Sequence, residues 1–352
     1  MKTYKQLYPQ IIEFGALYAA FRRARQGGKR SKPEVAAFEY HLEEELWHLH
    51  EELATGAYQP GAYRNFYIIE RKKRKISAAP FRDRVVHHAL CAAIQPIFEA
   101  RMIADSYACR VGKGTHRAAD RAQDFARVDR YVLKCDIQQF FPSIDHAILK
   151  GLLRRYIADA ETLGLIERII DSGAGVLDSE TTPQWFPGDT LFDALRPKGL
   201  PIGNLTSQFW ANVYLNALDQ FVKRELHCRH YVRYADDFLL FHENKAQLHA
   251  WKADIIDYLA TLRLRLHERK AVICPTRDGV DFVGYRIFPD HRRLRNDNVH
   301  AFVRRLRALR AAWRDGDMAL ERVAQSVQAW IAHAKHANTY HLRKQLLAQV
   351  AF

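Results

Sequence analysis

The sequence predicts an α+β fold organised around a sheet with acidic tips, and three observations carry that reading. The stretch His230-Tyr231-Val232-Arg233-Tyr234-Ala235-Asp236-Asp237-Phe238-Leu239-Leu240-Phe241 sets β-rich apolar runs on both sides of a polar corner, the pattern of a hairpin with carboxylates at its tip. About 100 residues earlier, Tyr131-Val132-Leu133-Lys134-Cys135-Asp136 is an apolar run closed by an acid, the pattern of a buried strand. Towards both ends of the chain, apolar residues recur at three- and four-residue steps, which predicts helices.

In chain order, residues 4–25 carry a helical stripe (Tyr4, Leu7, Tyr8, Ile11, Phe14, Leu17, Tyr18, Phe21) that Gly27-Gly28 breaks. Val35, Phe38, Leu42, Leu46, Leu49 and Leu53 predict a second amphipathic helix closed by Gly56. Asn65 to Arg71 alternates as a strand, and the cations Arg71-Lys72-Lys73-Arg74-Lys75 fall at the turn into the next one. Consecutive like charges repel, so they are left in water or set against phosphate. Residues 87–127 read as helix, loop, helix, with Gly112 and Gly114 in the loop.

A helix is expected over 147–170, with Asp145 as its cap, followed by a Gly-, Pro- and acid-rich loop over 171–198. Residues 246–267 predict a helix whose Leu248, Trp251, Ile255 and Leu259 face a core. Near the end, Val299, Phe302, Val303, Leu306, Leu309 and Trp313 form an apolar stripe, while Arg304, Arg305, Arg307, Arg310 and Arg314 take the remaining surface. Two further helices follow from about residue 317.

Composition narrows the class. The 352 residues are 48% hydrophobic and 27% charged, ordinary for a globular protein, but the net charge of +14 is not. A basic excess spread along the chain suggests a surface that tracks polyphosphate. No run approaches the roughly 18 apolar residues a membrane helix needs, and the polar N-terminus has no signal-peptide core, so a cytoplasmic protein is expected. The five scattered cysteines have no Cys-x-x-Cys spacing and argue against a disulfide framework or a zinc site.

The acids carry the chemistry. Adjacent carboxylates cost free energy unless a cation sits against them. If the 131–136 strand neighbours the hairpin in one sheet, Asp136, Asp236 and Asp237 converge. Such a cluster can hold two Mg²⁺ ions roughly 3.5–4 Å apart, which activates an attacking hydroxyl and stabilises a leaving pyrophosphate. An Asp-Asp pair alone is usually a solvated turn.

Tyr-Ala-Asp-Asp in a hairpin, preceded by Asp136-Ile137-Gln138-Gln139-Phe140-Phe141 and then Ile144-Asp145-His146, resembles the palm of the reverse transcriptases of the bacterial group II intron and retron-like branch. The likeness runs in order from about residue 60 to 345. It implies a right-hand polymerase, with fingers over 1–130, a palm with an antiparallel sheet over 131–288 (its loop insertion about 171–198), and a helical thumb over 289–352. It also implies that Asp136, Asp236, Asp237 and the Ile137 carbonyl hold two Mg²⁺ ions, with Mn²⁺ as a possible substitute.

By the same resemblance, Arg74 grips the incoming triphosphate with Arg82 as a helper, although an internal ion pair is an alternative for Arg82 and Arg84. Phe141 stacks under the sugar and leaves no room for a 2′-hydroxyl, so the substrates are dNTPs. Arg110 and Gly112 belong to a template-contacting loop, Gly284 to a primer-grip hairpin, and Lys270 stands near the leaving group as a general acid. The template is RNA and the held product an RNA/DNA duplex.

One departure narrows the branch. Where most such enzymes carry Gln-Gly and Ser-Pro, this chain has Ile202-Gly203-Asn204-Leu205-Thr206-Ser207-Gln208. That pattern resembles the reverse transcriptases of diversity-generating retroelements. Replacing the glutamine by Ile202 removes a polar contact that orients the nucleotide, and Gln208 replaces the proline; error-prone copying opposite template adenines is the implied result. A small basic accessory variability protein is the implied partner. Retron or defence enzymes, group II intron proteins and a non-catalytic RNA-binding scaffold are the alternatives.

Overall fold

The computed structural model describes residues 2–69 and 73–348 and divides into two compact units that interleave along the chain. The first comprises Met1–Ala104, Ile137–Glu225 and Asp254–Leu266; the second comprises Asp105–Asp136, Leu226–Ala253 and His267–Phe352.

The first unit is mainly helical and is centred on the helix Phe81–Glu99, which buries Val85, Val86, Ala89, Leu90, Ile94 and Phe98. Against it pack the helices Phe14–Ala24 and Leu205–Arg224. Phe21, Phe38 and Phe81 meet as a ring cluster with centroids 5.2–6.1 Å apart. The strands β1 (Arg64–Ile69) and β2 (Lys73–Ala78) form an antiparallel hairpin in this unit.

Several predicted helices are pairs of shorter ones. The 4–25 stripe is split at Glu13 into Tyr8–Ile12 and Phe14–Ala24, and the 35–53 stripe is split at His41 into Pro33–Tyr40 and Leu42–Ala54. The 147–170 segment becomes His146–Arg154 and Ala160–Asp171, because Asp159 caps the second helix at Thr162 N and also takes the amides of Leu7 and Tyr8. Periodicity survives such breaks because the apolar face keeps its side across the kink. Asp145 does cap the helix that follows it, accepting from Ile148 N at 2.9 Å. The predicted 246–267 helix is Lys245–Thr261 and ends where Arg263 takes φ +53°.

The second unit contains the carboxylate sheet: β3 (Tyr131–Asp136), β4 (Tyr231–Tyr234), β5 (Asp237–His242) and β6 (Val272–Pro275), ordered β4-β5-β3-β6 and antiparallel throughout. Helix Thr115–Val128 covers one face, its Ala118, Ala119, Ala122 and Ala126 letting the backbones approach closely. A second sheet joins β7 (Val280–Phe282), β8 (Tyr285–Ile287) and β9 (Arg292–Leu294). Its first hairpin turns at Val283 (φ 42°) and Gly284 (φ 92°), so both central residues are left-handed, as the right-handed twist of paired strands favours. Helices Asn296–Arg314 and Leu320–Ala334 join through Phe302 and Trp330, stacked with centroids 3.8 Å apart. Among the described residues no helix is long and apolar enough to cross a membrane, and all five cysteines are free.

Candidate active site

The sheet register does what the sequence only required conditionally. β3 and β5 pair so that Asp136 lies directly opposite Asp237. Asp236 stands beside it in the two-residue turn between β4 and β5, where Ala235 takes φ +55°. Directly opposed residues on antiparallel strands have Cβ atoms about 4.5–5.5 Å apart, so the two carboxyls are cross-strand neighbours. The Asp237 carboxyl is held well above the usual carboxylate range, chiefly by burial; Lys134 opposes this, and the negative charges of Asp236 and Asp136 add to it.

Lys270 answers part of that charge. It ends the short turn Glu268–Lys270, and its Nζ lies 2.6 Å from Asp136 Oδ1. The turn is fixed to β3 because His267 N donates to the Asp136 carbonyl at 2.7 Å. Among the described residues no group of three or more His, Cys, Asp or Glu side chains is arranged to hold a metal ion, and here a lysine ammonium takes one Asp136 oxygen. The donor set suits a hard divalent cation nonetheless. It is all carboxylate oxygen, half-buried and over-supplied with negative charge.

Two other candidates lie in this unit. In the 106–116 loop, Arg110 donates to the Ser106 carbonyl at 2.9 Å, while Gly112 takes φ 70°. At the β7–β8 turn a Cβ on Gly284 would stand 3.4 Å from Asn298 Nδ2.

The remaining candidates belong to the first unit. Ile202 and Gly203 form the turn before helix Leu205–Arg224, and β2 is stitched to that turn: Ser77 N donates to the Ile202 carbonyl at 2.9 Å, and the Asn204 amide joins Ser77 O and Ala79 N. Gly203 takes φ 115°, and a Cβ there would come within 2.8 Å of Ile76 Cγ2, so only glycine fits. Gln208 is exposed on the helix's first turn, Ile137 is buried and bridges to Leu266, and Phe141 is half-buried with its carbonyl taken by Leu200 N. Arg74 is exposed on β2 opposite Ile68; Arg71 and Lys72 of the same cationic run lie outside the described residues.

The internal ion pairs weighed for Arg82 and Arg84 are present. Arg82 binds Glu52 at 2.6 Å, and Arg84 lies 3.2 Å from Glu34. Between them, Asp83 is buried and accepts from Tyr58 Oη and Gly61 N. The 171–198 loop is irregular apart from Asp178–Glu180 and Leu191–Ala194, and Arg263 grips it through two hydrogen bonds to Asp189, at 2.6 and 2.8 Å.

Sequence reasoning gave no role to Arg233, which is fully buried one residue before the Tyr234-Ala235-Asp236-Asp237 corner. The available signal was alternation: Tyr231 and Arg233 share a face, so a cation stands where an apolar residue is expected.

With this geometry in hand, comparison with known proteins is decisive. The family model for "Reverse transcriptase (RNA-dependent DNA polymerase)" matches residues 65–287, more than half of the chain. The chain belongs to the reverse transcriptase family. It is an RNA-directed DNA polymerase, its mixed helices and antiparallel sheets are those of a right-hand polymerase, and enzymes of this family work with divalent metal ions on nucleic-acid templates. It is similar to protein YkfC of Escherichia coli (strain K12), 30% identical over 288 residues, covering 69% of this chain and 71% of that protein.

It is also similar to the group II intron-encoded protein LtrA of Lactococcus lactis subsp. cremoris, 28% identical over 183 residues. That match covers 51% of this chain but only 28% of the intron-encoded protein. A solved Candida albicans telomerase in complex with a fragment of telomeric RNA overlays with a TM-score of 0.47 at 12% identity, over 84% of this chain and 56% of that one.

Proposed function

We propose that this reverse transcriptase joins the primer 3′-hydroxyl to the α-phosphorus of a dNTP using Asp136, Asp236 and Asp237, and that it serves a diversity-generating retroelement. The observation that carries the catalytic part is the direct cross-strand pairing of Asp136 with Asp237, with Asp236 in the adjoining turn. These carboxylates and the Ile137 carbonyl would hold two Mg²⁺ ions (or Mn²⁺), which when bound would supply Lewis-acid activation of the hydroxyl and charge neutralisation at the phosphates. Lys270, 2.6 Å from Asp136, is paired with that carboxylate and carries a proton for the leaving pyrophosphate.

Arg74, with Arg82 as helper, binds the triphosphate. Phe141 excludes the ribose 2′-hydroxyl. Arg110 and Gly112 contact the template, and Gly284 lets the primer backbone pass. Gly203 and Gln208 complete the nucleotide pocket around Ile202, which offers no hydrogen bond to the incoming nucleotide; mispairs, above all opposite template adenine, are therefore weakly rejected. The lobes follow as fingers (1–130), palm (131–288) and thumb (289–352), a small basic accessory protein is the partner, and the cytoplasm is the site of action.

A second reading is favoured by the similarity to an intron-encoded protein: a group II intron-type enzyme copying its RNA accurately. Primer extension on an RNA template with dNTPs and Mg²⁺, with product sequencing and an Asp236→Ala, Asp237→Ala control, separates the two. Errors clustered at template adenines, absent from the control, support the retroelement reading. Accurate cDNA moves the enzyme to the intron type, and no cDNA under any template and partner condition ends both.

A further inference from the structure

The carboxylate tip is a two-residue turn with a non-glycine residue, Ala235, in the left-handed region, a conformation that costs roughly 1 kcal/mol or more and persists only when its surroundings impose it. Arg233 supplies that imposition. It is 0% exposed, and its Nη1 donates to the Ala235 carbonyl at 3.0 Å while its Nη2 donates to Ser106 Oγ at 3.0 Å. Its backbone is engaged on the same side: Arg233 N donates to the Asp105 carbonyl, and Tyr107 N donates to the Arg233 carbonyl, both at 2.9 Å. The Asp105–Tyr107 segment is thus laid parallel along β4.

The glycine-bearing loop hangs from that same segment. Gly114 N donates to the Tyr107 carbonyl at 3.0 Å, and Arg110 Nη1 donates to the Ser106 carbonyl at 2.9 Å. One buried guanidinium therefore touches the carbonyl preceding Asp236 with one arm and the root of the 106–116 loop with the other. Withdrawing a charge from water is unfavourable unless its donors are used, and a planar fork uses two in fixed directions.

We infer that Arg233 is a positioning residue: with Ser106 it clamps the Ala235-Asp236 turn to the root of the 106–116 loop, so that the carboxylate tip and the loop move as one body. The inference rests on the polymerase reading given above. The clamp itself touches no nucleotide, so loosening it lowers turnover, leaves the dNTP KM alone and weakens template binding only through the loop it roots.

The test compares Ser106→Ala, which removes one arm with little disturbance, with Arg233→Lys, which keeps the charge but cannot serve both acceptors. Primer extension gives kcat and the dNTP KM, filter binding without Mg²⁺ gives the template–primer Kd, and hydrogen exchange by mass spectrometry follows peptides over 231–240. The expected result is a kcat about tenfold lower for Ser106→Ala and about a hundredfold lower for Arg233→Lys. KM stays within about twofold, Kd weakens by less than kcat falls, and exchange at the turn is faster. The double variant is no worse than Arg233→Lys, because both act on one clamp.

Wild-type kcat in folded single variants, or a loss in Kd larger than the loss in kcat, would overturn the clamp. Should Arg233→Lys fail to fold, Ser106→Ala decides alone. If the wild type makes no cDNA, the polymerase reading falls, and unchanged exchange at the turn in Ser106→Ala still overturns the clamp by itself.

Discussion

At the scale of single residues, the site is a problem of surplus negative charge. Asp136 and Asp237 face each other across β3 and β5 with Asp236 in the adjoining turn, burial raises the proton affinity of Asp237, and Lys270 pairs with Asp136 from 134 positions along the chain. Replacing Lys270 by methionine keeps the stem and removes the ammonium. The proposed general-acid role predicts a kcat lowered 10²- to 10³-fold with the dNTP KM little changed; an unaltered kcat in single-turnover assays would reject the role. Ile202 makes the opposite kind of prediction, because its proposed role is to offer nothing to bond. Ile202→Gln should lower misincorporation opposite template adenine several-fold, read by sequencing cDNA from one RNA copied by both proteins. An unchanged error spectrum would show that the fidelity of this enzyme is set elsewhere.

At the scale of elements, the helix Phe81–Glu99 carries a pH dependence as well as the core of its unit. His87 is buried, its Nδ1 has no hydrogen-bond partner among the described residues, and burial, then the neighbouring His88 and Arg84, push its pKa down to about 3. Burial, aided by Arg23 and Lys29, lowers His88 to about 4. Both are depressed in the folded state. Their stabilising effect is complete above the unfolded value near 6.5 and is lost as pH falls towards 4 and 3, at about 1.4 kcal/mol per pKa unit for the buried His87 and less for the partly exposed His88, whose charge solvent screens. Thermal melts should therefore show the midpoint falling between pH 7 and pH 4.5, and His87→Met should reduce that fall while holding stability at pH 7. Equal falls in both proteins would remove His87 from the account. The same scale explains the misplaced helix ends: periodicity reports which face is apolar, whereas Asp159 capping two segments and Arg263 pairing with Asp189 are contacts between distant pieces of chain.

At the scale of the whole molecule, the net charge of +14 is the dominant electrostatic fact. Binding to template–primer should weaken steeply with salt: a footprint of about six phosphates loses about 10³ in affinity between roughly 50 and 200 mM. A flat salt dependence in filter binding would mean that the cations do not face the backbone. Much of this protein was legible without its structure. The α+β class, the strand ending at Asp136, the hairpin corner at Asp236 and Asp237 and the basic composition all follow from local alternation, turn chemistry and composition, which act over a few residues, whereas the hairpin at Gly284 was legible only through the family resemblance. Tertiary structure alone decided that Asp136 faces Asp237, that Lys270 reaches Asp136, that Gly203 abuts Ile76, and that Arg233 ties Ala235 to Ser106. Each of these joins segments that local propensity leaves independent, and sheet register and the burial of a charge select the partner only once the core has closed around them.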